Sequence, residues 1–311
     1  MRRSSALSVT ALVMAAFAAN SVLARLALRE TAVDAVTFTG VRLATGAVVL
    51  ALVVRARGGR LGGSWASAAA LFAYAAAFSA AYLSLAAGTG ALLLFGAVQL
   101  TMIGWGLARG ERLTALQTAG VAVALAGLAV LVAPGVQAPA PAPALLMAGA
   151  GVAWGVYSLR GRGGADPTGA TAGNFARAVP LAAGLALATA ASGRALVPDP
   201  AGVGWAVLSG GVTSGLGYVA WYAVLPSLRA ASAATVQLSV PVLAALGGAA
   251  LLGEPVTARL AVASAVTLGG IALVVRSRGT TPPPRQGQRQ LAPRRSARPS
   301  RARRGSTATA R

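Results

Sequence analysis

The chain has 311 residues, of which 56% are hydrophobic and only 11% charged, and its net charge is +21. Soluble domains carry about 25% charged residues, so this chain lacks the polar residues needed to cover a water-soluble body. It contains no cysteine, histidine or lysine, which excludes disulfides, thiolate chemistry, histidine metal ligands and histidine general bases. We therefore expect an all-α membrane protein with no metal site and no cofactor.

Ten apolar runs follow one another along the chain, each close to the roughly 20 residues that a bilayer-spanning helix needs. They cover residues 6–28, 35–54, 65–86, 89–108, 114–133, 143–160, 169–191, 202–225, 232–252 and 258–275. The first run is longer than the apolar core of a signal peptide and further runs follow it, so we expect a retained helix. The Pro/Ala-rich segment 134–144 favours an extended linker between the fifth and sixth runs.

Arginines are distributed unevenly among the connections between runs. If the N-terminus is cytoplasmic, the outer segments carry only Arg29, Arg194 and Arg259. The inner segments then carry Arg2, Arg3, Arg55, Arg57, Arg60, Arg109, Arg112, Arg160, Arg162, Arg229, Arg276, Arg278 and the tail. Cytoplasmic connections are enriched in basic residues, and the Ala/Gly/Arg usage is typical of a bacterial genome rich in G and C. We therefore expect a multi-pass protein of the bacterial inner membrane with both termini cytoplasmic.

A Gly-Glu phrase occurs twice, as GERLTALQTAG at residues 110–120 and as GEPVTARLAVA at residues 253–263. Aligning Gly110 with Gly253 also matches Glu111 with Glu254 and Thr114 with Thr257, without a gap. Each phrase joins the fourth and fifth runs of a half, so an internal duplication explains both. Because five is odd, the second half enters the membrane from the opposite side. The sequence thus predicts ten transmembrane helices in two five-helix inverted-topology repeats, a construction that recurs in secondary transporters.

The duplication predicts four segments. These are a first repeat at 1–133, a linker at 134–144, a second repeat at 145–276 and a tail at 277–311. The tail is rich in arginine and proline and has few apolar residues, so we expect it to be disordered and cytoplasmic.

The chain resembles the EamA-type transporters of the drug/metabolite transporter superfamily. The resemblance rests on Gly-Glu at 110–111 and 253–254, on AWGVYS at 153–158, and on SAATVQLSVPVLAALGGAALLGE at 232–254 with Pro241 inside it. Val98 stands in the first repeat where the second has Pro241, so the fourth run departs from the pattern. The resemblance covers about residues 6–276 and implies a permease for small organic solutes, often an exporter.

Arg42 and Arg177 are the charged residues that lie deepest within the runs. They could attract an anionic group of a substrate, or exchange partners as the two halves move. Alternatively, they could snorkel to an interface or bond to helix-end carbonyls.

Polar and aromatic residues within the runs are further candidates, because transporter sites gather near the midplane between repeats. Asparagine and glutamine also simply join helices in membrane bundles. The candidate substrate-binding residues are Asn20, Arg42, Tyr74, Tyr82, Gln99, Trp154, Tyr157, Asn174, Arg177, Tyr218, Trp221 and Gln237.

Glu111 and Glu254 are expected to cap or orient the start of the helix that follows each of them, together with Thr114 and Thr257. The alternative role is a gate at each face of the membrane. None of the six acidic residues lies centrally in a run, so a proton relay through a buried acid, the usual role of such residues, has no support.

The combined expectation is a secondary transmembrane transporter that exports a small organic metabolite or drug by alternating access. The expected partners are a small-molecule substrate and membrane lipid, with a homodimer left open. A basic tail without aromatic residues for stacking argues against nucleic acid. A polytopic enzyme acting on lipid and a channel are the alternatives, although an enzyme would need clustered acids, histidines or a metal site.

Overall fold

A computed structural model describes residues 3–162, 164–228 and 235–278, and every regular element in these ranges is helical. The first half of the chain forms five helices, and six further α-helices follow. Their bounds are α1 Arg3–Glu30, α2 Ala35–Ala56, α3 Trp65–Tyr82, α4 Ala87–Ala108, α5 Ala115–Val132, α6 Pro141–Arg160, α7 Pro167–Ala191, α8 Pro200–Val207, α9 Gly217–Val224, α10 Ser239–Leu252 and α11 Ala258–Arg278.

Residues at the helix ends explain where several helices begin. Proline occupies the first turn of α6, α7 and α8, where its missing N–H leaves no helical hydrogen bond unmade. Side chains cap other helices, such as Thr114, which forms a reciprocal capping box with Gln117 at α5. The expected capping role of Thr114 is therefore confirmed. Thr257 likewise accepts a hydrogen bond from the Leu260 N–H, 3.1 Å away, in the first turn of α11.

The eighth predicted run forms a continuous helical segment whose centre is not α-helical. Between α8 and α9 lies a π-helix, Leu208–Leu216. In the described residues, nine helices are long and apolar enough to cross a membrane; the eighth run is not among them because the π-helix divides it. We call α8, the π-helix and α9 together the eighth span, which gives the ten spans that the sequence predicts.

The two halves pack with an internal symmetry. Helix α2 packs on α7, and α5 packs on α11, so each of these helices contacts its counterpart in the other half. Helices α3 and α4 pack on α6, just as the eighth span and α10 pack on α1. This is the arrangement expected of two related five-helix units that face each other.

We name the two faces of the bundle after the two ends of α1. The N-terminal face is where α1 begins, and the distal face is where α1 ends. At the distal face, the Val197 N–H donates to Asp34, so the α7–α8 connection meets the α1–α2 connection. At the N-terminal face, the Gly62 N–H donates to the Gly169 carbonyl, which joins the α2–α3 connection to the start of α7. The halves therefore cross the bundle in opposite senses, and Glu111 and Glu254 lie at opposite faces.

Two predicted boundaries differ from the observed helix bounds. The linker was expected to extend over 134–144, but α6 begins at Pro141, because proline and alanine are well suited to the first turn of a helix. The predicted tail at 277–311 overlaps the last turn of α11, and its remainder from 279 lies outside the described residues.

Candidate functional site

Arg42 lies at the centre of the bundle, where α2 meets α3 and the eighth span. Its side chain is 2% exposed, and Nη2 donates to the Tyr74 hydroxyl at 2.9 Å. The guanidinium carbon lies 4.7 Å from the centre of the Phe78 ring and 5.3 Å from that of Tyr74. Nη1 is buried and has no hydrogen-bond partner among the described residues.

This arrangement leaves the charge of Arg42 only partly compensated. Arginine does not deprotonate in proteins, and removing an ion from water costs several kcal/mol unless a counter-charge replaces the water. Cation–π contacts return about 1–2 kcal/mol. No carboxylate of the described residues forms an ion pair with Arg42. The site is therefore electropositive and can accept one more hydrogen bond partner that carries negative charge.

Rings of the second half extend the aromatic group that contacts Arg42. Trp154 of α6 lies 4.8 Å from Tyr74 of α3, between ring centres, and 5.6 Å from Tyr218 of α9. The Trp154 and Tyr218 planes are 25° apart, and those of Trp154 and Tyr157 28° apart, so these three rings are stacked. Trp154 is half-buried, at the edge of the group. We call Tyr74, Phe78, Trp154, Tyr157 and Tyr218 the aromatic cluster.

A polar cluster lies between α1 and the π-helix. The Asn20 Oδ1 accepts from Ser209 Oγ at 2.7 Å and from Thr213 Oγ1 at 2.8 Å, and its Nδ2 donates to Ser214 Oγ at 3.2 Å. All four side chains are buried. Gly210 lets the π-helix approach α2 closely, since an added Cβ would collide with the Arg42 carbonyl oxygen and Thr45 Oγ1. Asn20 therefore joins the two halves, which is the structural use of a membrane asparagine.

A second polar group lies beside the aromatic cluster in the second half. The Tyr157 hydroxyl contacts Thr171 Oγ1 at 3.4 Å and accepts from Asn174 Nδ2 at 3.4 Å. Thr171 also hydrogen-bonds to the Tyr222 hydroxyl at 3.0 Å. The Asn174 Oδ1 accepts from the Ser64 N–H at 2.9 Å, so this residue also holds the α2–α3 connection.

Arg177 does not share the environment of Arg42. Its Nη1 donates to the Gly62 carbonyl at 2.6 Å and to the Gly173 carbonyl at 2.9 Å. The α2–α3 connection folds against α7 and supplies these oxygens. Arg177 is therefore engaged with backbone carbonyls, the second of the two roles considered for it.

The remaining predicted residues are dispersed. Tyr82 is fully buried, lies edge-on to Phe78, and donates to the Ala87 carbonyl at 3.2 Å. Trp221 packs with a separate apolar group that includes Val13 and Met14 of α1. Gln99 and Gln237 are half-buried. None of these four adds a polar group to the surroundings of Arg42 in the described structure.

Comparisons with known proteins agree with this architecture. The sequence model of the EamA-like transporter family matches residues 142–276. An uncharacterized protein of Pseudomonas aeruginosa is 54% identical over 275 residues, which cover 88% of this chain and 95% of the relative. The chain belongs to the EamA-like transporter family, within the drug/metabolite transporter superfamily.

Two further matches to this EamA-like chain are more distant. An uncharacterized transporter of Archaeoglobus fulgidus is 38% identical over 76 residues, or 24% of this chain and 28% of the relative. A solved crystal structure that is 24% identical covers 86% of this chain and 98% of its own, with a TM-score of 0.62. At that identity, the crystal structure supports the fold alone.

Glu254 has a different role in this EamA-like protein from the one expected. Its carboxylate is 6% exposed; Oε1 accepts from Arg25 Nε at 2.9 Å, and Oε2 accepts from the Ala87 N–H at 2.7 Å. Ala86, which precedes α4, offers no side-chain cap. Glu254 therefore caps α4 in the other half and not the helix that follows it.

Glu111 lies at the other face and is exposed. Its carboxylate lies over Gly106, where an added Cβ would approach Oε2 to 2.5 Å, as Glu254 lies over Gly248 at 2.6 Å. The backbone bonds also correspond: the Glu111 N–H donates to the Gly106 carbonyl and the Glu254 N–H to that of Gly248. The two Gly-Glu corners of this EamA-like chain thus share one local conformation.

Sequence reasoning missed several residues of these clusters. Phe78 has no polar group to mark it, and Tyr222 and Thr171 lack any local motif. Ser209, Thr213 and Ser214 lie in a glycine-rich segment that gives no helical period. Sequence reasoning also gave no contact between Arg25 and Glu254, which are far apart in the chain and buried against each other.

Proposed function

We propose that this EamA-like protein is a secondary transporter that exports a small organic metabolite or drug from the bacterial cytoplasm by alternating access. Its two five-helix halves rock about a central site, and the solute leaves chemically unchanged. The six acidic residues lie at helix ends or in connections, so the proposal contains no proton relay through a buried central acid.

The origin of the site residues carries this proposal. Arg42 and Tyr74 come from the first half, whereas Trp154 and Tyr218 come from the second. A movement of one half against the other therefore opens or closes the site. Inverted repeats with a site at their interface are the arrangement by which secondary transporters alternate access.

Flux in proteoliposomes tests the transport function. Vesicles with purified protein are loaded with an unlabelled solute from a metabolite panel and then diluted into the same solute in labelled form, with and without a pH gradient. We expect transient accumulation of label for at least one solute, because a carrier exchanges one molecule for another. If the protein moves no solute of the panel, or if the flux shows no such exchange, the carrier proposal is wrong.

The orientation can be tested in cells, because the chain contains no cysteine. Single cysteines are introduced at Val136, exposed at the distal face, and at Gly59, exposed at the N-terminal face. With cytoplasmic termini, as the arginine distribution favours, an impermeant maleimide labels Val136→Cys in intact cells and Gly59→Cys only after the membrane is opened. The reverse pattern would place the N-terminus outside.

A further inference from the structure

We propose that the substrate is a monocarboxylate with a planar apolar body: its carboxylate bonds to Arg42 and its body lies against Tyr74, Trp154 and Tyr218. This assignment of a substrate class rests on the transport function proposed above. It starts from Arg42 Nη1, a donor that is buried and has no partner among the described residues, on a side chain that is 2% exposed.

None of the described residues supplies a negative charge that pairs with Arg42. The ion pairs of the described residues join Arg25 and Arg29 to Glu254, and Arg29 to Glu30. All three lie toward the end of α1 at the distal face. Carboxylates and phosphates match the geometry of a guanidinium through charge-assisted hydrogen bonds. The Tyr74 hydroxyl, 2.9 Å from Nη2, lies beside the same position.

The number of available cationic side chains favours a substrate with a single negative charge. Arg177, the corresponding arginine of the second half, is held by the Gly62 and Gly173 carbonyls. One free guanidinium donor suits a monocarboxylate, whereas a phosphate monoester with two charges would need a second cation.

The shape of the site favours a flat apolar body. The Trp154 and Tyr218 planes are 25° apart with ring centres 5.6 Å from each other, and Tyr74 lies 4.8 Å from Trp154. Planar groups stack on such faces. An ammonium group would be repelled by Arg42 and would find no carboxylate among the residues of the aromatic cluster. The site should therefore reject amines and bind zwitterions less tightly than acids.

Four compounds that share one ring and nearly one chain length test this assignment. They are 3-phenylpropanoate, 3-phenylpropan-1-ol, 3-phenylpropan-1-amine and phenylalanine, titrated into detergent-purified protein by calorimetry. We expect the acid to bind at least about tenfold more tightly than each of the other three, a difference of about 1.4 kcal/mol. Comparable affinity for the amine or the alcohol, or no binding of any of the four, would overturn the proposal.

Single-residue variants test whether Arg42 causes the preference for the acid. Arg42→Gln should weaken binding of the acid at least about tenfold and leave the alcohol unchanged, so that the two bind alike, whereas Arg42→Lys should keep a preference for the acid. Arg109→Gln removes an exposed arginine at the N-terminal face and should match the unmodified protein. Unchanged acid binding in Arg42→Gln would overturn the proposal. If that variant does not fold, the ratio of the four affinities in the unmodified protein decides.

The failure of this inference can be told apart from failure of the transport function. Exchange of other solutes in proteoliposomes, together with no binding of the four compounds, would overturn the substrate class alone. Tight, Arg42-dependent binding of the acid with no exchange of any solute would overturn the transport function and leave the binding site.

Discussion

The two Gly-Glu corners of the protein share a backbone conformation but differ in their surroundings. At the distal corner, Glu254 is buried and joins α10 to Arg25 of α1 and to the start of α4. At the corner on the N-terminal face, Glu111 is exposed and lies against its own helix over Gly106. The positions correspond in the duplication, yet the distal glutamate ties the two halves together through buried contacts.

This difference indicates what the duplication preserves. Both corners place a glycine in the left-handed region, Gly110 at φ 85° and Gly253 at φ 62°, and both lay the carboxylate over a helical glycine. The backbone turn is therefore common to the two repeats, whereas the burial of the glutamate differs between the two faces. The aspartates that precede the second helix of each half show a similar difference between the faces. At the distal face, Asp34 also accepts from the Val197 N–H of another connection. At the N-terminal face, Asp166 accepts from the Gly169 N–H in the first turn of its own helix.

The largest difference should appear when the glutamates are removed. Glu254→Ala leaves Arg25 buried without its partner and α4 without its cap, and breaking a buried ion pair in this way costs about 3–5 kcal/mol. Glu111→Ala changes an exposed residue, for which about 0.5 kcal/mol is typical. Unfolding in mixed detergent micelles, followed by tryptophan fluorescence, gives both free energies.

The double variant Arg25→Leu/Glu254→Leu is the control for this comparison. It removes both charges, so no ion is left buried and unpaired, and it should recover part of the stability that Glu254→Ala loses. Equal losses for Glu254→Ala and Glu111→Ala would mean that the buried pair contributes nothing beyond the shared turn.

A smaller effect is expected when the pH is lowered. Partial burial acts to raise the pKa of Asp34, but hydrogen bonds from the Thr37 hydroxyl and from the N–H groups of Thr37, Val197 and Val36 outweigh it and lower the pKa. A lowered folded pKa means that the stabilisation is complete above the unfolded value of about 3.9 and is lost as the pH falls through the folded value. Stability should thus be level from pH 8 to about 5 and decline by about 1 kcal/mol below pH ~4.

Asp34→Asn should remove this contribution, so that stability declines less at the acid end of the profile. Asp166→Asn, at the corresponding cap of the second half, should retain the decline because the Asp34 bonds remain. A profile of Asp34→Asn identical to that of the unmodified protein would assign the acid transition to other groups.

The general fold could be predicted because each membrane span is encoded by one long, continuous apolar run. Ten apolar runs match ten spans, and the odd number per half fixes the opposite senses of the repeats. The irregularity of the eighth span could not be predicted: LSGGVTSGL is apolar enough to continue a helix, and the close contact of the π-helix with α2 at Gly210 is a tertiary feature.

The site was predictable in part, for a related reason. Arg42 and Arg177 have similar positions in their runs, and both could be singled out as deep charges. Their different environments arise from tertiary structure, because the α2–α3 connection brings the Gly62 carbonyl to Arg177, whereas Arg42 lies against the Tyr74 and Phe78 rings. The partner of Glu254 is likewise determined by packing between halves, which a local motif does not encode.

The smallest difference should appear where the two corners are alike. Gly110→Ala and Gly253→Ala each force a side chain into the left-handed region, at a cost of about 1 kcal/mol. An added Cβ meets no atom within 4 Å at either position, so backbone strain alone determines both losses. We expect the two free energies of unfolding to fall equally, although the corresponding glutamate variants differ by several kcal/mol. A much larger loss for Gly253→Ala would mean that the backbone of the distal corner is coupled to the Arg25–Glu254 pair, and the effect of the turn would then not be separable from that of the buried pair.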